Sequence, residues 1–135
     1  MSNPTGVSPH LIVDGAARAI DFYKAAFDAI EIRRVPESDG NRLIHAELTI
    51  RGTTVYLCDD FPEYRGGTAC DAKALGGSPI VLHQYVSDCD AAVAKAERAG
   101  ATVTMPAQDQ FWGDRYAQVT DPFGLVWSLA TPLQK

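Results

Sequence analysis

The sequence predicts an α+β fold of two βαβββ modules, paired about a pseudo-two-fold axis so that their strands form a curved sheet around a cleft. Three observations predict it. Apolar residues recur at strand and helix periods in one repeated order: strand, helix, then three strands. The second half of the chain restarts the first. Val13 and Val86 precede the two helices at an offset of 73 residues, Ile20 and Val93 share that offset, and the hairpin glycines Gly52 and Gly124 are offset by 72. Finally, 135 residues, 46% of them hydrophobic, suit one domain over 1–135. It divides into module one at 7–60, a connection at 61–79 and module two at 80–131.

His10 to Val13 is a short apolar strand, and Asp14 is positioned to cap the helix predicted over Ala16 to Phe27. Ala19, Ile20, Tyr23, Ala26 and Phe27 give that helix its apolar face. Ile30 to Pro36 reads as a strand. Arg42 to Ile50 and Thr54 to Cys58 read as a hairpin closed at Arg51-Gly52. Asp59 to Pro79, rich in Gly, Pro and charge, is a long connection or lid. The order then repeats. A strand spans Ile80 to Val86, Asp88 caps a helix over Cys89 to Ala99, Gly100 ends it, and Thr102 to Met105 is a strand. The last hairpin pairs Asp114 to Thr120 with Leu125 to Ala130. Pro122 and Gly124 supply the fixed and the positive φ of its turn.

Composition excludes several classes. A net charge of −5 argues against nucleic acid as a partner. No apolar run approaches the roughly 20 residues that span a bilayer, and Met1 to Ser8 lacks the features of a signal peptide. Cys58, Cys70 and Cys89 are odd in number and widely spaced, which suits reduced thiols in a cytoplasmic protein.

Strand alternation assigns faces. Val55, Leu57, Leu125, Trp127 and Leu129 are expected on the helix side. Ser8, His10, Ile12, Thr54, Tyr56, Cys58, Val81, His83, Tyr85, Val126, Ser128 and Ala130 are expected to face the cleft. A two-residue turn at Arg51-Gly52 would set Glu47 opposite Tyr56 and His45 opposite Cys58. Arg115 is placed with the cleft parity of Ala117 and Val119. All three histidines then point into the cleft, with His10 and His83 as repeat mates in one pocket.

SPHLIVDGAARAIDFYKAAF at 8–27 and FWGDRYAQVTDPFGLVWSLAT at 111–131, set in two such modules, resemble the vicinal-oxygen-chelate superfamily. That group includes glyoxalase I, extradiol dioxygenases, and fosfomycin- and bleomycin-resistance proteins. LIHAELTIRGTTVYLCDDFPE at 43–63 is similar to its PhnB-like branch. The resemblance implies the glyoxalase/bleomycin-resistance fold and a homodimer. It also implies metal ligands at Ser8, Tyr56, Val81 and Ser128, where the His, Gln or Glu of the metal enzymes is missing; Val81 has no donor at all.

Two functions follow as expectations. One is a protein that binds a small, partly aromatic or anionic compound in the cleft without the usual metal site and without a required cofactor. His10, His83, Tyr56, Tyr85, Trp112 and Arg115 would be its ligand-binding residues. The other is a metal-dependent lyase, isomerase or dioxygenase holding a divalent ion on a displaced set, His10, His83 and Glu47. Glu47 with His45 or His10 is the candidate catalytic base and partner, with a buried ion pair as the alternative. Arg115 either clamps an anion or forms a salt bridge to Asp114 or Asp121. Phe111 and Trp112 either stack on a planar ligand or cover a dimer seam. Cys58 reads as an inert buried thiol, and Gly66-Gly67 and Gly76-Gly77 lack the spacing of a phosphate loop.

Overall fold

The computed structural model describes residues 4–134. Met1–Asn3 and Lys135, which belong to the expected 1–135 domain and in part to the N-terminal segment read for a leader, lie outside the described residues. The elements run β1 (His10–Val13), α1 (Ala16–Phe27), β2 (Ile30–Pro36), β3 (Leu43–Ile50) and β4 (Thr53–Asp59). After a 3-10 turn at Pro62–Tyr64 come α2 (Ala72–Leu75), β5 (Val81–Tyr85), α3 (Cys89–Ala99), β6 (Thr102–Asp109), β7 (Asp114–Thr120) and β8 (Val126–Pro132). Two four-stranded mixed sheets result, ordered β1-β4-β3-β2 and β5-β8-β7-β6. In each, the first strand of the module joins its last in parallel and the other pairings are antiparallel. The expected α+β pair of βαβββ modules is therefore the observed fold.

Local chemistry explains the details. Arg51 and Gly52 both take positive φ (50° and 82°), as a two-residue hairpin with the right strand twist requires. That turn sets Glu47 opposite Tyr56, as the sequence predicts. β6 extends to Asp109, past the expected end at Met105, despite Pro106. An edge strand tolerates a residue without an N–H, and two register irregularities in β6 absorb it. Asp88 caps α3 by accepting from Ala91 N at 3.1 Å. Asp14 does not cap α1. Gly15 occupies the cap position at φ 108°, and the carboxylate of Asp59, at the end of β4, accepts from Gly15 N and Ala16 N at 2.8 and 2.9 Å.

The core lies between the sheets' inner faces and the two long helices. α1 buries Ile20, Tyr23 and Phe27 completely or nearly so. Phe27 and Tyr23 pack on Trp127 of β8 with ring centres 4.7 and 5.3 Å apart, so α1 joins its own module to a core side chain of module two. The Tyr23 hydroxyl donates to Asp121 at 2.6 Å across the same boundary. The connection contributes α2, whose Lys73 N and Ala72 Cβ would lie 3.2 and 3.3 Å from a side chain at Gly124. Gly124 (φ 88°) is thus needed both for its turn and for the approach of α2. Among the described residues no helix is long and apolar enough to cross a membrane.

Candidate functional site

On the concave face of module one, His10, Tyr56, Glu47 and Arg33 form one cross-strand row from β1 to β2. Adjacent residues in such a row sit about 5 Å apart. His45 lies on the same face of β3, its ring 5.4 Å from that of Tyr56, and His10 is edge-on to both rings at 6.4 Å. Glu47 and His45 are half-buried and His10 is exposed. Tyr56 therefore separates His10 from Glu47.

The concave face of module two is aromatic. His83 meets Tyr85 edge-on at 4.7 Å and lies nearly parallel to Tyr116 at 6.1 Å. Trp112, on the loop before β7, stands perpendicular to Tyr116 at 5.5 Å. The four rings border a concavity of about 740 Å³, whose remaining walls include Gln108, Gln110, Gln118 and Asp114. Asp114 Oδ2 accepts from Trp112 Nε1 at 3.1 Å and from the Tyr85 hydroxyl at 3.3 Å, which ties loop, β7 and β5 together. The Asp114 charge, followed by burial, raises the Tyr85 phenol above its ordinary range. His83 Nδ1 and Ser128 Oγ are 2.6 Å apart, and Ser128 is almost wholly buried beneath the ring.

Several expectations change. Arg115 does not face this concavity. It points to the helix side and holds Asp90 of α3 through two hydrogen bonds (2.8 and 3.0 Å) and Asp109 of β6 at 3.0 Å. Its partners are neither Asp114 nor Asp121. The parity was inverted by one residue: pairing of Thr120 with Val126 puts Tyr116 and Gln118 with Ser128 on the concave face and sends Ala117 and Val119 into the core. The same register would have revealed Tyr116 and Gln118, which the sequence reading missed.

The displaced His10, His83, Glu47 set is not assembled. His10 borders an apolar pocket of about 560 Å³ lined by β1, by Cys70, Leu75 and Ile80, and by Leu82 and Leu125 of module two. His83 borders the aromatic concavity and a seam pocket between the modules, and neither contains His10. Among the described residues no three His, Cys, Asp or Glu side chains converge as a metal ion requires. Nor do the residues at the family's ligand positions fit a metal: Val81 has no donor, and the Ser128 hydroxyl is engaged by His83. The thiol of Cys58, half-buried on module one, is raised by desolvation and then by Asp59, which makes it a poor nucleophile.

Comparison with known proteins agrees with this architecture. A family model described as Glyoxalase/Bleomycin resistance protein/Dioxygenase superfamily matches residues 7–129. An uncharacterized protein of Mycobacterium bovis is 54% identical over 129 residues, covering 96% of this chain and 84% of that protein. The X-ray structure of an Arabidopsis thaliana gene product is similar at TM-score 0.73 and 30% identity, covering 95% of this chain and 99% of the other. A PhnB protein from Bacillus cereus has TM-score 0.70 at 14% identity over 94% and 99% of the two chains, a likeness of fold alone. By architecture and by sequence, the chain belongs to the glyoxalase/bleomycin resistance protein/dioxygenase superfamily.

Proposed function

We propose that the chain binds a small organic molecule bearing a planar ring, held against the concave face of module two without the superfamily's usual metal site. The observation that carries this reading is the group of four rings, His83, Tyr85, Trp112 and Tyr116, around one concavity. Apolar walls with a few fixed polar groups are the usual form of a small-molecule site. Here Gln108, Gln110 and Gln118 supply donors and acceptors that could fix a ligand's orientation. With Arg115 occupied elsewhere, the anionic part of the expected ligand loses its support. A planar probe such as 4-methylquinoline should bind weakly and saturably in calorimetry and, in the wild type, shift the Trp112 indole N–H resonance. Trp112→Ala and Tyr116→Ala should each weaken it about tenfold, roughly 1.4 kcal/mol. Binding unchanged in both variants would move the site elsewhere.

His10, His45, Tyr56 and Glu47 are proposed as the polar wall of a second surface on module one, where proton transfer by Glu47 and His45 is the catalytic alternative. A homodimer would bring further cover to the exposed rings, since Phe111 is 97% and Trp112 52% exposed. Sedimentation at micromolar concentration should show two copies. A monomer there would mean that these rings face solvent in the working protein.

A further inference from the structure

We propose that the module-two concavity selects a cation, a protonated amine or a cationic heteroaromatic ring, with the free oxygen of Asp114 as its counter-charge. This rests on the reading of that concavity as the ligand site and names the class of ligand it takes.

Asp114 is only 9% exposed, yet it forms no ion pair among the described residues. A carboxylate oxygen that no protein donor takes can accept from a charged donor on a ligand, the stronger kind of hydrogen bond. Here two neutral donors share one oxygen, Oδ2. Among the described residues nothing donates to Oδ1, although Asp114 borders the concavity. The basic side chain next in sequence, Arg115, lies on the opposite face of the strand and is spent on Asp90 and Asp109. No Lys or Arg among the described residues borders the concavity.

The Trp112 indole N–H and the Tyr85 hydroxyl reach the carboxylate, and both rings border the concavity with Tyr116; aromatic rings attract cations through their quadrupole. A carboxylate amid aromatic walls offers a cation both a Coulomb partner and a weakly hydrated surface. It repels an anion. The chain's net charge of −5 acts in the same direction.

The test compares three probes with similar ring systems at about pH 8, above the ordinary range of an imidazole: 1-methylquinolinium, neutral 4-methylquinoline and quinoline-4-carboxylate. Calorimetry on the intact chain should show the cation binding at least tenfold tighter than the neutral probe and the carboxylate not binding. Asp114→Asn keeps an acceptor for Trp112 and Tyr85 and should bring cation and neutral probe to within about threefold. In the wild type the preference should also narrow as sodium chloride is raised, which stands in if the Asn variant fails to fold; a preference indifferent to salt would place the selection on the rings and overturn the role of Asp114. Equal binding of cation and neutral probe by the wild type would overturn the charge selection and leave the aromatic site intact. Binding of none at millimolar concentration would remove the site and this inference with it.

Discussion

Asp121→Ala should destabilise the chain by about 4 kcal/mol, the largest effect expected of any single substitution here. Asp121 is almost fully buried in the turn before β8, and its carboxylate accepts four hydrogen bonds. Oδ2 takes the Tyr23 hydroxyl at 2.6 Å and Trp127 Nε1 at 2.9 Å; Oδ1 takes Phe123 N at 2.9 Å and Leu125 N at 3.0 Å. Truncation would strand these donors, which are buried with the carboxylate, at roughly 1–3 kcal/mol each before relaxation. Tyr23→Phe removes one donor and leaves three, so it should cost only about 1–2 kcal/mol. Urea unfolding of both variants tests the ordering, and a loss below about 1 kcal/mol for Asp121→Ala would show that the node contributes little.

The same contact makes an alkaline prediction. Burial first, and then the charge of Asp121, push the Tyr23 phenol well above its ordinary value of 10.0. The folded state therefore holds this proton more tightly than the unfolded state does. The associated stability is fully present below the ordinary value and is lost as pH rises towards the folded one. Wild type should lose stability above about pH 10 more steeply than Tyr23→Phe, in which that proton is absent.

Asp59→Ala should follow, at about 3 kcal/mol. Asp59 is buried at the end of β4. Besides the two amides at the start of α1, it accepts from Leu43 N at 2.7 Å, where β3 begins. One side chain thus satisfies donors from a helix and a strand that are distant in sequence. Hydrogen exchange should show the Gly15, Ala16 and Leu43 amides losing protection together. Asp59→Asn, which keeps an acceptor, should lose less. Independent behaviour of the α1 and β3 amides would mean that the carboxylate does not couple them.

Both carboxylates mark where sequence reading stops. Asp14 stood in the position a helix cap occupies, and a sequence rule weighs only neighbours; the side chain that caps α1 is 43 or 44 residues away. Asp121 entered only as a candidate partner for Arg115, because nothing local indicates that Tyr23 and Trp127 converge on it. Arg115 itself was misplaced because a strand's two faces differ by one residue of register, and that register belongs to the pairing with β8.

By itself the sequence determined the two modules, both long helices, the β3–β4 hairpin with its register, and the strand faces that carry His10, His45, Tyr56, His83 and Tyr85. Each of these rests on periodicity or turn chemistry within a few residues, which the backbone enforces locally. Tertiary structure alone decided that His10 and His83 border different pockets, that Tyr116 and Asp114 complete the aromatic concavity, and that Arg115 belongs to α3. Pocket assembly and the satisfaction of buried polar groups depend on contacts between distant segments. Tyr23 and Asp121, 98 residues apart, meet only when the two modules pack together.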